Sequence, residues 1–179
     1  MNIKYKQLEV NDLSPDIFNN FNRYQEVKKC WRKKDNSWIL IDHPFIEDWS
    51  IEQKKQLATV YLPGTIKNGG IVAGAFDGEN LIGFFALAGD LIGSRKQYIR
   101  LISLHVSNEY RNKGIGKNLF NLCANAAKAT KAEKLYISTH SSQESHAFYR
   151  AMNCIHAEEI IPELYKKEPF DVHMEYILI

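Results

Sequence analysis

Cysteine is too sparse in this sequence to organise it. Cys30, Cys123 and Cys154 are odd in number and widely spaced, with no CxxC pair and no zinc-ligand cluster among them. That excludes a disulfide scaffold or zinc ribbon and fits a reducing, cytoplasmic setting. Long apolar runs are missing as well: the most apolar stretch, Leu81 to Gly89, is about half of what a bilayer demands and is interrupted by Gly83. Met1 to Val10 alternates charged and apolar residues where a secretory leader needs an unbroken apolar stretch, so neither export nor a membrane partner is expected. Charge of one sign is scarce too. The 23 Lys and Arg against 21 Asp and Glu leave a formal charge of +2, which makes neither nucleic acid nor an anionic membrane the default partner.

What the chain does have is apolar content: 45% of 179 residues, enough for one buried core without metal or disulfide support, and one domain over 1–179 is expected. Ile3 to Val10 approximates period-2 alternation and predicts a strand. Ile17, Phe18, Phe21, Tyr24, Val27 and Trp31 follow helical spacing and predict a helical region over 16–35. Asp42-His43-Pro44-Phe45 predicts a loop, because the residue before proline avoids the helical well. Ser50 and Gln53 form a capping box that opens a second helix, predicted to end before Pro63-Gly64. Gly70 to Phe76 and Leu81 to Ala88, joined by Asp77-Gly78-Glu79-Asn80, predict a hairpin. Gln97 to Val106 is apolar on both parities and predicts a central strand, followed by a helix from Gly114 to Thr130. A strand at Leu135-Tyr136-Ile137, a helix from Ser142 to Met152, a strand near Ile155 and a last strand from Val172 to Leu178 complete the reading.

Chemistry concentrates in Tyr110-Arg111-Asn112-Lys113-Gly114-Ile115-Gly116-Lys117, between a buried strand and an amphipathic helix. A helix start presents unpaired N–H groups and partial positive charge, and glycines let a pyrophosphate approach them, with Arg111, Lys113 and Lys117 adding charge. A Walker A loop needs Gly where Arg111 stands and Ser or Thr where Asn118 stands. A dinucleotide fingerprint needs a third glycine where Leu119 stands, so both are excluded.

Arg111, Gly114 and Gly116 match the pattern Arg/Gln-x-x-Gly-x-Gly/Ala, which resembles the acyl-CoA pyrophosphate loop of the GNAT N-acetyltransferases. Leu101 to Gly116 resembles the family's central strand entering that loop, and Ser145 to Met152 its later helix with Phe-Tyr, so the resemblance spans roughly 70–179. It implies an α/β (α+β) fold with a mixed, mostly antiparallel central sheet flanked by helices, splayed between its fourth and fifth strands. It also implies acetyl-CoA as cosubstrate, without metal. Backbone groups of Leu104 and Val106 would meet the pantetheine arm, and the amides of Arg111, Asn112, Lys113, Gly114, Ile115, Gly116 and Lys117 the pyrophosphate. Tyr149 stands where the family often has a tyrosine that protonates the departing thiolate; the alternative is a core aromatic.

Some family members carry a glutamate base where this chain has Arg100, so that base cannot be carried over. Glu47, Asp48, His105, His173 and Glu175 are the candidates, each also readable as an ordinary polar residue. Asn153-Cys154 replaces the family's common Gly-Phe, and Asn tolerates the left-handed well. Cys123 and Cys154 have no evident basic partner, which favours direct transfer over an acyl-enzyme. Asp42, Phe45, Glu47, Asp48 and Trp49 combine carboxylates with aromatics, chemistry that a cationic small-molecule amine would favour. The basic run of Lys28, Lys29, Arg32, Lys33 and Lys34 lacks any recognisable base-reading module. A peptide acceptor and a non-catalytic acyl-CoA sensor stay open as alternatives, as do a monomer and a homodimer formed through the edge of the last strand.

Overall fold

The computed structural model describes residues 2–35 and 37–178; Met1, Asn36 and Ile179, and with them both ends of the expected 1–179 domain, lie outside the described residues. The elements are β1 (Ile3–Leu8), β2 (Gln25–Lys34), β3 (Ser37–Glu47), α1 (Ile51–Gln56), α2 (Leu62–Lys67), β4 (Ile71–Asp77), β5 (Asn80–Ile92), β6 (Tyr98–Val106), α3 (Ile115–Lys128), β7 (Lys134–Thr139), α4 (Gln143–Ala151), β8 (Ile155–His156), α5 (Pro162–Lys167) and β9 (Val172–Ile177). Among the described residues, seven strands form one sheet in the order β1-β4-β5-β6-β7-β9-β8, and β2 pairs with β3 in a separate hairpin. Every pair in the large sheet is antiparallel except β6 with β7. This is the mixed, mostly antiparallel sheet flanked by helices that the resemblance implied.

One face of the sheet is covered by α3 and α4. Ile115, Leu119, Phe120, Cys123, Ala124 and Ala127 line the buried stripe of α3 and pack on Ala75, Phe85, Leu87 and Ile99. The other face carries Phe18, Phe21, Ala58 and Leu62 against Val72 and Phe84, with a second group, Tyr98, Tyr136, Ile161 and Leu164, towards β7. A depth of apolar residues on both faces explains why β6 reads as apolar on both parities.

A bulge on β6 creates the main opening. Ala86 and Leu87 of β5 face Ser103 and Leu101, so Ile102 is an extra residue. Ile99 and Leu101 point towards α3 before it, and Leu104 and Val106 after it. Pairing between β6 and β7 stops at Leu101 and Ile137, although the strands run on to Val106 and Thr139. The fourth and fifth strands of the sheet therefore diverge.

The expected helix over 16–35 is not present. Residues 10–21 make a short 3-10 turn and further turns that bury Phe18 and Phe21, and β2 begins at Gln25. The helical spacing has a specific origin. The β2–β3 register shifts between Val27 and Lys29, which leaves Val27 and Cys30 both buried three residues apart. The expected loop at Asp42 to Phe45 lies inside β3, with Pro44 at that same irregularity, where a missing N–H is tolerated. The capping box at Ser50 and Gln53 forms, but the helix does not stop before Pro63; it continues through a π turn at 57–61 into α2. The short α5 was not anticipated. Nor is β9 a free edge, since β8 pairs with its Met174 and Glu175.

Candidate functional site

The loop before α3 is shaped by two left-handed residues, Asn112 at φ +58° and Gly114 at φ +80°. Gly114 is the N-cap of α3. Among the described residues, no protein acceptor takes the amides of residues 112–117. Six successive free donors at a helix start make a nest suited to an anion. The amide of Arg111 is different, because it already donates to Asn108 O at 3.2 Å. The Arg111 side chain turns inward too: Nε donates to Val106 O at 3.1 Å and Nη2 to Arg23 O at 3.2 Å. It ties the end of β6 to the segment before β2 rather than reaching into the loop. Lys113 lies over the Tyr110 ring, while Lys117 lines the cleft.

The diverging strands open a cleft of about 1100 Å³ that reaches from this loop to the far face of the sheet. Ser107 donates its N–H to Ile82 O on β5, so strand alternation turns the backbone of Val106 and Leu104 towards the gap. The Val106 carbonyl is taken by Arg111, which leaves the Val106 N–H and both Leu104 groups facing the opening. Tyr149 on α4 lines the same cleft, with only 7% of its surface exposed. Its ring packs at 5.1 Å from Phe148 and 6.2 Å from Phe120. The phenol has no protein hydrogen-bond partner among the described residues. Burial raises its pKa, with Cys154 and Cys123 adding to the effect, so the hydroxyl keeps its proton.

A family model for the acetyltransferase (GNAT) family matches residues 24–153. The chain belongs to this family. By sequence, no curated protein matches the chain. Among solved structures, nourseothricin acetyltransferase is similar at TM-score 0.72 and 14% identity, over 100% of both chains. A protein of Bacillus anthracis str. Ames described as a streptothricin acetyltransferase, solved in complex with acetyl coenzyme A, is similar at TM-score 0.70 and 18% identity, over 100% of this chain and 99% of that one. PaiA N-acetyltransferase from Thermoplasma acidophilum, in complex with coenzyme A, follows at TM-score 0.62 and 18% identity, over 99% of each chain. At these identities the likeness is one of fold.

In this GNAT chain the candidate bases are scattered. Glu47 lines the cleft at the end of β3 and is held by Arg23 Nη2 at 2.5 Å. His105 also lines it, at 4.9 Å from the Trp49 ring; burial pushes its pKa down to about 3, with Arg23 and Arg111 adding to the effect, so it is neutral. Asp48 points elsewhere, accepting from Trp49 N. His173 and Glu175 are buried structural residues outside the cleft lining. His173 Nδ1 meets Tyr136 OH at 2.7 Å, and Glu175 binds Tyr98 OH at 2.6 Å and Lys134 Nζ at 2.7 Å. Burial pushes Glu175 up, but those bonds outweigh it and hold the carboxyl below its usual value.

Two cleft residues that sequence reasoning did not weigh as site groups are Asp171 and Ser138. Ser138 Oγ donates to Asp171 Oδ2 at 2.8 Å, and burial raises the Asp171 pKa. No local motif marks either, since they meet only through the β7–β9 pairing. The β2–β3 hairpin walls this side of the cleft: Trp31 N donates to Ser141 O at 2.8 Å, and Cys30 bridges Ser142. Asp42 lies out on that hairpin, paired with Lys29 at 3.8 Å. Arg32 stacks on Phe170 at 4.8 Å. Asn153 takes φ +63°, as its place after α4 requires. Burial raises the Cys154 thiol to about 12 and raises Cys123 as well, so neither is a ready nucleophile. Among the described residues, no group of His, Cys, Asp or Glu has metal-binding geometry, and no helix is long and apolar enough to cross a membrane.

Proposed function

We propose that this chain transfers an acetyl group from acetyl-CoA to an amine of a small molecule, directly and within a ternary complex. The observation that carries this is the nest of six unpartnered amides, 112–117, opening into the same cleft as the Tyr149 phenol. These residues fit the cosubstrate: the amides would hold the pyrophosphate, and the free groups of Leu104 and Val106 the pantetheine amides. Acetyl-CoA supplies an activated acyl thioester when bound.

Tyr149 is placed to give its proton to the leaving sulfur, because it is protonated at neutral pH and unengaged. Asp171 is the best-placed carboxylate to take the proton of the attacking amine. It lines the cleft, Ser138 fixes its orientation, and burial makes it a stronger base than a solvated aspartate. The raised thiols of Cys123 and Cys154 support direct transfer over an acyl-cysteine.

A small acceptor is favoured over a peptide because the β2–β3 hairpin is bonded to Ser141 and Ser142 and walls the cleft where an extended backbone would need an open groove. The test is free-thiol release from acetyl-CoA against polyamines, aminoglycosides, amino acids and short peptides. Release with a small amine supports the reading. Silence from the whole panel while calorimetry shows acetyl-CoA binding points to a sensor, and absence of binding refutes the site.

A further inference from the structure

Arg100 is the one guanidinium in the cleft, among the described residues, with neither a hydrogen bond nor an ion pair. Arg23 holds Glu47 and Gln25, and Arg111 holds two carbonyls. Arg100 Nε is sealed from solvent without an acceptor. The residue stands on β6 one rung before the pairing with β7 ends, on the face of Tyr98 and Tyr136, and lines the cleft beside Ser138, His140, Glu168 and Asp171. Burial lowers its pKa, with the Asp171 charge opposing that, but a guanidinium stays charged in either case.

Tyr136, the cross-strand neighbour of Arg100, is engaged with other groups. Tyr136 OH accepts from Ile161 N at 3.1 Å and lies 2.7 Å from His173 Nδ1. His173 Nε2 is buried without a partner and makes no hydrogen bond to Arg100. A guanidinium without a partner in the lining of an open cleft is a demand for an oxyanion, and its planar shape suits a carboxylate. Arg100 stands near the apex of the gap, one rung before the last paired residues. In the same lining, Asp171 and Glu168 supply the opposite sign for the amine.

Resting on the acetyltransferase reading above, we infer that the acceptor is an amino-acid-like zwitterion, whose carboxylate Arg100 holds while its amine faces Asp171. A polycation without an acidic group would set its charge against Arg100.

The experiment compares the common α-amino acids with their own carboxamides, with spermidine as the polycation, using thiol release and calorimetric titration onto the protein–CoA complex. The amide is the harsher control, because its less basic amine is more often the free nucleophile. The expected result is at least one amino acid whose kcat/KM exceeds that of its amide tenfold or more and which binds the CoA complex. Arg100→Met should reduce that kcat/KM at least tenfold, Arg100→Lys should restore part of it, and the acetyl-CoA Kd should stay within twofold in both. Equal use of acid and amide by the wild type, or a preference for spermidine, overturns the inference without reference to any variant. Failure of CoA itself to bind overturns the acetyltransferase reading instead, and the inference with it.

Discussion

Replacing Gly114 with alanine tests the cosubstrate nest most sharply, because the structure supplies its own control. Gly114 has φ +80° and Gly69, just beyond α2, has φ +79°; an added Cβ would meet nothing within 4 Å at either position. Both substitutions therefore carry the same penalty, the strain of a left-handed alanine, about 1–2 kcal/mol. For a chain of this length that lowers Tm by about 2–8 °C. Only at Gly114 does the new methyl sit beside unpartnered amides. Displacing a phosphate oxygen from one of them removes a charge-assisted bond of about 1.5–3 kcal/mol, so acetyl-CoA should bind about 10- to 150-fold more weakly. Calorimetry on both variants, with thermal unfolding alongside, reads the two effects separately. Similar Tm losses with a Kd change confined to Gly114→Ala are expected. A Kd for Gly114→Ala within twofold of that for Gly69→Ala would refute the placement of the nest.

Tyr149→Phe should lower kcat by roughly 10²- to 10⁴-fold, the usual range for a lost general acid, with acetyl-CoA affinity nearly unchanged. Stability should barely move, since the phenol makes no hydrogen bond to lose; unchanged turnover would reduce Tyr149 to a core aromatic. Lys134→Met strands the fully buried Glu175 carboxylate and should cost about 3–5 kcal/mol in denaturant unfolding, and a loss under 1 kcal/mol would show that Glu175 needs no counter-ion. The pH dependence has a definite sign. His105 takes its proton at about 6.5 when unfolded and at about 3 when folded, so its contribution is intact above pH 6.5 and lost as pH falls from there to about 3. That is about 2 kcal/mol between pH 7 and pH 5 from this one residue, and His146, His156 and His173, all lowered by burial, act in the same direction. Chemical denaturation at the two pH values should show the drop in the wild type and a smaller one in His105→Phe.

How legible each half of the cleft was in the sequence follows from what each half is made of. The half proposed to hold the cosubstrate is backbone. Its shape comes from neighbours in sequence: Asn112 and Gly114 in left-handed conformations, a helix that starts at Ile115, and alternation along β6. Signals of that kind are local and survive in a single chain. Even there, a side chain could be mistaken for a ligand group: Arg111 matches the loop pattern, yet its guanidinium is spent on Val106 and Arg23.

The half proposed to hold the acceptor is side chain, assembled from segments far apart. Arg23 and Glu47 meet through the hairpin, and Ser138 meets Asp171 through the β7–β9 pairing. The hairpin itself was hidden by a register shift that buries Val27 and Cys30 at helical spacing, and the gap by a bulge at Ile102 that no residue type announces. Both irregularities alter which parity faces inward, the one variable on which reading a strand from its pattern depends. The residues expected to select the acceptor, Arg100 above all, therefore look like ordinary strand charges until the sheet is assembled. Specificity in such a cleft can change by exchanging single strand charges while the backbone nest stays as it is.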